Sequence, residues 1–190
     1  MDFQKMITET PECDNNVTDM SYKYYGRTHL IGSPVCGDNV VNMDYAYSNC
    51  VNLTGHPACS NNVITMDGTY FNCKNLNGSA VCGTNVKHMS STYMNCVNLS
   101  ENAYFHSHNV EYVGGCFAGK IKEKRLNIFV PANSITLQSC ISEDHAFSLM
   151  AQDMTWIYNK EENYYHNEDY NIYVYPVDNV PWVRMQNNDY

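Results

Sequence analysis

A repeat solenoid built from 23-residue coils is the fold class the sequence predicts, and three observations predict it. Between Cys13 and Leu99 the same markers return at a constant interval of 23 residues, and a constant interval in this range marks stacked structural units. Each unit closes on turn-forming residues, as in Thr54-Gly55-His56-Pro57, which cuts the chain into coils. The apolar markers persist while the residues between them change, as expected where matched positions stack into one continuous core.

The columns can be read directly. Cys36, Cys59 and Cys82 form the first, followed by Val40, Val63 and Val86, then Met43, Met66 and Met89, then Tyr47, Tyr70 and Tyr93. A second cysteine column, Cys50, Cys73 and Cys96, precedes Leu53, Leu76 and Leu99. Cys13, Val17, Met20, Tyr24 and Leu30 place the same markers in a more divergent first coil. Asn39, Asn62 and Asn85 stand before the valines, where an amide can satisfy backbone groups that a tight turn leaves unpaired. These columns are expected to form the structural ladder of the interior.

Within one coil Val63, Met66, Tyr70, Cys73 and Leu76 are spaced by three, four, three and three residues, a helix-like rhythm. The intervening Asn, Gly, Thr and Tyr argue against a long helix. The prediction is therefore a short helical or 3₁₀ turn around Met-x-x-x-Tyr in each coil, with extended segments on either side. A weaker fifth pass runs through Asn109, Val110, Val113 and Phe117, displaced by one residue.

Outside the coils the character changes. Residues 1–12 read as an N-terminal arm or cap, 13–118 as the repeat region and 119–190 as a small α+β C-terminal cap. In that last segment Leu126 to Pro131 reads as a strand stopped by proline. Ser134 is placed to cap a short helix through Cys140 and Ile141, with Thr136 and Gln138 facing out. Further strands are expected in Met154 to Tyr158 and Tyr170 to Tyr175. The run 120–125 is the one basic cluster, and Tyr164, Tyr165, Tyr170, Tyr173, Tyr175 and Tyr190 make the end rich in tyrosine.

The order Cys50, Leu53, Val63, Met66, Tyr70, Cys73, Leu76 resembles the 23-residue leucine-rich repeats of BspA-type bacterial surface proteins. It is similar also to the N-V-x-x-M…Y-x-N-C-x-N-L-x-G repeats of phage tail and other virion proteins of gut bacteria. It departs from the BspA-type pattern after the leucine, where Gly55, His56, Pro57 and Ala58 replace alternating isoleucines. The resemblance implies a leucine-rich-repeat-like solenoid, with short β segments, short helical or 3₁₀ turns and an α+β C-terminal cap. It also implies a structural role in a virion.

Composition narrows the function. Eleven Lys plus Arg against 20 Asp plus Glu give a formal net charge of −9, a field that repels phosphate backbones and anionic lipid. Nucleic acid and membrane insertion are set aside as partners. The first residues hold no basic start followed by an apolar run, so the reading is folding in a host cytoplasm with nine reduced cysteines acting as small apolar groups. No C-x-x-C pair or Cys/His quartet marks a zinc site. His106, Ser107 and His108, and Ser142-Glu143-Asp144-His145, carry no recognised catalytic spacing. The expectation is no enzyme, no catalytic residues, no metal and no cofactor.

The functional expectation is a non-enzymatic virion component of tail, fibre or head decoration. It binds other virion proteins, with a host-surface glycan or protein and further copies of the chain as partners left open. The alternatives are a bacterial cell-surface leucine-rich-repeat adhesin and an intracellular phage protein binding a host target. Positions that vary between coils are the ones a partner can read. The candidate recognition face is Tyr45, His56, Thr69 and Ser91 together with Tyr164 and Tyr165.

Overall fold

The computed structural model describes residues 8–120, 124–145, 148–150, 152 and 154–181. Most of the arm at 1–7, the centre of the basic run at 121–123 and Tyr190 therefore lie outside the described residues. Six strands and one short helix follow in order: β1 (Ala80–Cys82), β2 (Asn102–Phe105), β3 (Leu126–Pro131), α1 (Ile135–Cys140), β4 (Ile157–Asn159), β5 (Tyr164–Asn167) and β6 (Ile172–Val177). They form one mixed sheet in the order β1-β2-β3-β6-β5-β4. The first four pair in parallel and the last three antiparallel.

This corrects the expected fold class. The molecule is not a leucine-rich-repeat-like solenoid with helical turns, and its C-terminal part is not a separate α+β cap. It is a mixed six-stranded sheet with almost no helix, and α1 is the only helix among the described residues. The sheet also runs across the expected boundary at 118/119, because β2 pairs directly with β3.

Backbone hydrogen bonding gives the physical reason the Met-x-x-x-Tyr segments are not helical. In an α-helix each N–H bonds within its own segment, four residues back. Here alternate amides leave the segment altogether. Met43, Tyr45, Tyr47 and Asn49 donate to Thr65, Asp67, Thr69 and Phe71 of the following unit at 2.8 to 2.9 Å, while Ala46, Ser48 and Cys50 between them close i→i−3 turns. Two left-handed positions per unit enforce the alternation. One carries Tyr22, Tyr45, Gly68 and Ser91 at φ of 54 to 58°. The other carries Asn49, Asn72 and Asn95 at 61 to 63°, flanked by Gly26 and Gly119 at 72 and 79°. A right-handed helix cannot continue through a residue in that region.

Units are tied one to the next by parallel bridges Asp19↔Asn42, Asn42↔Thr65, Thr65↔His88 and His88↔Tyr112. Tyr24, Tyr47, Tyr70, Tyr93 and Phe117 stack with centroids 5.2, 5.6, 5.5 and 5.8 Å apart. Val40, Val63 and Val86, and Met43, Met66 and Met89, are fully buried beside them.

The C-terminal strands alternate, as period-2 patterning requires. Leu126, Ile128 and Val130 of β3 and Ile172 and Val174 of β6 are buried, while their neighbours Asn127, Phe129, Tyr173 and Tyr175 are half-buried on the other face. Ser134 caps α1, its hydroxyl accepting from the Leu137 amide at 3.0 Å. Thr136, expected to face out, is buried instead: its hydroxyl donates to the Ser107 carbonyl (2.6 Å) and accepts from the Val110 amide (2.9 Å). Gln138 is exposed.

Close approach between units yields a first prediction. A Cβ on Gly83 would stand 2.2 Å from the Ser60 carbonyl oxygen and 2.9 Å from its carbon. Both are backbone, so neither swings aside. Gly83→Ala is expected to lower stability by about 1–3 kcal/mol through forced separation of the layers. An unchanged urea midpoint would refute that close approach.

Candidate functional site

The columns of buried polar side chains are wholly committed to holding the layers. Each tyrosine hydroxyl ties to the residue twelve positions back. Tyr47 donates to the Val35 carbonyl and accepts its amide, Tyr70 does the same with Ala58, and Tyr93 with Val81, at 2.7 to 3.1 Å. The thiols of Cys50, Cys73 and Cys96 donate to the carbonyls of Tyr24, Tyr47 and Tyr70 at 2.9 to 3.0 Å. Cys36, Cys59 and Cys82 are buried, as are Leu53 and Leu76, while Leu99 is partly buried against the same core. Burial pushes the thiols of Cys36 and Cys50 up to about 11 and those of Cys82 and Cys96 up to about 12. Such groups stay protonated near neutrality, and a protonated thiol is neither a good nucleophile nor a metal ligand.

The histidine segment adds one more such bond. The Ser107 hydroxyl is buried and directs its proton to the Val86 carbonyl at 2.6 Å. Burial lowers the pKa of His106. Among the described residues no three His, Cys, Asp or Glu side chains gather as metal ligands. No helix of the described residues is long and apolar enough to cross a membrane.

The six candidate recognition residues do not share one face. Thr69 is fully buried, its hydroxyl shared between the carbonyls of Met43 (2.7 Å) and Met66 (2.9 Å), which withdraws it from any partner. Tyr45 stacks on Tyr22 at 5.2 Å and fills the space left by Gly68, where a Cβ would meet its ring at 2.4 Å. Tyr45 and Ser91 line one small depression with Tyr25, Ser48, Asn49 and Phe71. His56 is exposed elsewhere, packed against Gly78. Tyr164 and Tyr165 both belong to β5. Tyr164 meets the rings of Tyr173 and Tyr175, whereas Tyr165 packs toward the core.

Ring geometry on the outer sheet face limits what those aromatics can do. Tyr104, Phe129 and Tyr175 are cross-strand neighbours stacked at 5.3 and 5.2 Å with planes within 20°. Phe129 has both faces covered by its two neighbours, and the row contributes to sheet stability. Arg125 closes the end of the sheet, its guanidinium 4.0 Å from the Tyr173 ring centre and bonded to Asn127 and Tyr175.

An open groove of about 660 Å³ runs across five successive units. Asn16, Asn39, Asn62, Asn85 and Asn109 form one wall, and Thr18, Val41, Ile64 and Lys87 the other. The valine between each pair, as at Val40 and Val63, points into the core, so its two neighbours project outward as the rims of a channel. Asn39 donates its amide to the Asn15 carbonyl (2.7 Å) and Asn62 to that of Asp38 (2.8 Å). The opposite wall is tied unit to unit through Ile64 N–H to Val41 O and Lys87 N–H to Ile64 O, both 2.8 Å. Sequence reasoning found the asparagine wall as structure and missed the wall of Thr18, Val41, Ile64 and Lys87. The available signal was the aliphatic residue standing after a buried valine in Asn-Val-Val and Asn-Val-Ile.

Comparison with protein-family models, with curated proteins and with solved structures gave no match to this chain.

Proposed function

We propose that the chain is a non-enzymatic structural and recognition component of a phage virion, binding neighbouring proteins of the particle and presenting its outer surface to a host receptor. The observation that carries the non-enzymatic part is the commitment of the buried hydroxyls and thiols. Tyr47, Tyr70, Tyr93, Cys50, Cys73, Cys96, Thr69 and Thr92 all direct their protons to backbone carbonyls. Such an interior builds rigidity and leaves the surface to interact. The virion setting rests on the repeat resemblance.

Mass spectrometry of purified particles tests the reading. The chain is expected there at a fixed copy number relative to the major head protein. Recovery only from infected-cell lysate would overturn the virion role in favour of an intracellular protein acting on a host target. Recovery from the bacterial envelope without infection would favour an adhesin.

A further inference from the structure

We propose that the groove between the asparagine wall and the Val41/Ile64 wall binds an uncharged linear glycan lying along the stacking direction, one sugar unit per layer. The inference does not depend on the virion setting.

Four observations carry it. The first is pre-organisation. The side-chain amides of Asn39 and Asn62 are fixed by their bonds to the preceding unit, leaving each carboxamide oxygen as an acceptor of known position. A hydroxyl-bearing ligand meets acceptors whose ordering has already been achieved in folding. The second is the facing wall. Val41 and Ile64 are 38 and 41% exposed, and an aliphatic strip opposite a row of acceptors matches a sugar, whose ring presents C–H on its face and O–H at its edge. Sites of that kind combine apolar lining with a few placed polar groups.

The third observation is charge. Of the residues lining the groove, Lys87 alone is charged, and the chain as a whole carries −9. A polyanion is repelled by the overall field and finds one cation in the channel, whereas a neutral polyol loses nothing. The fourth is period. Units beside the groove are joined by the parallel bridges Asp19↔Asn42, Asn42↔Thr65 and Thr65↔His88, so the layers repeat at about 4.8 Å, a little under the step of an extended β-linked hexose chain. An extended peptide advances by about 3.3 Å per residue and a polyproline helix by about 3.1 Å. The donors of either fall out of step with the carboxamides within a few layers.

The test is isothermal titration of the intact chain with soluble cello-, manno- and chito-oligosaccharides, from disaccharide to hexasaccharide. Affinity for at least one series is expected to rise with each added unit until the groove is spanned, and to be insensitive to salt between about 0.05 and 0.5 M. Val41→Glu and Ile64→Glu, both on exposed positions, are expected to weaken binding by about tenfold or more with an unchanged circular dichroism spectrum. Tyr25→Ala, outside the groove, is expected to leave it intact. Absence of binding by all three series at millimolar concentration overturns the proposal. So does affinity independent of chain length, retention of binding in both Glu variants, or binding confined to sulfated or uronic chains and abolished by salt.

Discussion

In reducing buffer the chain is expected to unfold cooperatively within one or two pH units above about 9, without a preceding titration of its buried tyrosines. Eight thiols, those of Cys36, Cys50, Cys59, Cys73, Cys82, Cys96, Cys116 and Cys140, are raised by burial above the ordinary value of 9.0. Burial holds Tyr47, Tyr70 and Tyr93 well above 10.0 in the same way. For each such group the unfolded chain gives up its proton at the ordinary value while the native chain still holds it. The stabilising contribution is therefore complete below pH 9 and is lost as the pH rises through the window up to the native value. Each group in that window lowers stability by about 1.4 kcal/mol per pH unit. Eight acting together reach on the order of 10 kcal/mol per unit, against a total stability of about 5–15 kcal/mol for a typical domain. Far-ultraviolet circular dichroism should be lost together with the final step of tyrosinate absorbance, that of the buried Tyr47, Tyr70 and Tyr93, the signal of exposed tyrosines such as Tyr22 and Tyr25 being set apart. A spectrum that is unaltered at about pH 11, or the full tyrosinate absorbance of the chain reached while the fold persists, would contradict this account.

The same burial explains what was legible in the sequence. Cys, Val, Met, Tyr and Leu columns at one interval announced themselves because every layer imposes the same volume on the same position. Tyr70 cannot differ much from Tyr47 when the two rings are 5.6 Å apart. The local conformation differs from the helical turn its spacing suggests for an equally physical reason. Successive i→i−3 turns place residues three and four apart on one side, as a helix does, so Met66, Tyr70 and Cys73 give the same rhythm in either case. Only the destination of the alternate amides separates the two, and that destination lies 22 residues on, where no local pattern encodes it. One of the left-handed positions was readable: the succession Gly26, Asn49, Asn72, Asn95, Gly119 uses the two residue types that tolerate positive φ. The other was not, because Tyr22 and Tyr45 occupy it, and nothing in a tyrosine advertises φ near 55°.

The recognition residues failed to converge for a related reason. Variation between layers is the ordinary mark of a surface position, yet Thr69 varies because a small buried hydroxyl can replace the Ala46 methyl and gain the carbonyls of Met43 and Met66. Conversely Val41 and Ile64 are outward residues with inward chemistry. Hydropathy alone assigns both classes to the wrong side, and the alternation about the buried valine assigns them correctly.

Removal of a single ring from the middle of the tyrosine column should be the most damaging substitution in the interior. Tyr70 is fully buried, with Tyr47 and Tyr93 stacked above and below at 5.6 and 5.5 Å. Its hydroxyl donates to the Ala58 carbonyl (2.7 Å) and accepts from the Ala58 amide (2.9 Å). Tyr70→Phe keeps the ring and strands both backbone groups in a place water does not reach, at a cost of about 1–3 kcal/mol. Tyr70→Ala adds the cavity left by an aromatic side chain, bringing a further loss of about 3–5 kcal/mol. That sum approaches the whole stability of an ordinary domain, so the alanine variant is expected to be unfolded or nearly so at 37 °C. Urea denaturation of the phenylalanine variant separates the hydroxyl from the ring, and Tyr24→Phe supplies the control. Tyr24 makes the equivalent pair of bonds to Glu12, but Glu12 is exposed. Water can replace the lost hydroxyl there, and the cost should be well under that at Tyr70. Equal losses at the two positions would mean that desolvation of the Ala58 backbone is not what makes the central tyrosines indispensable.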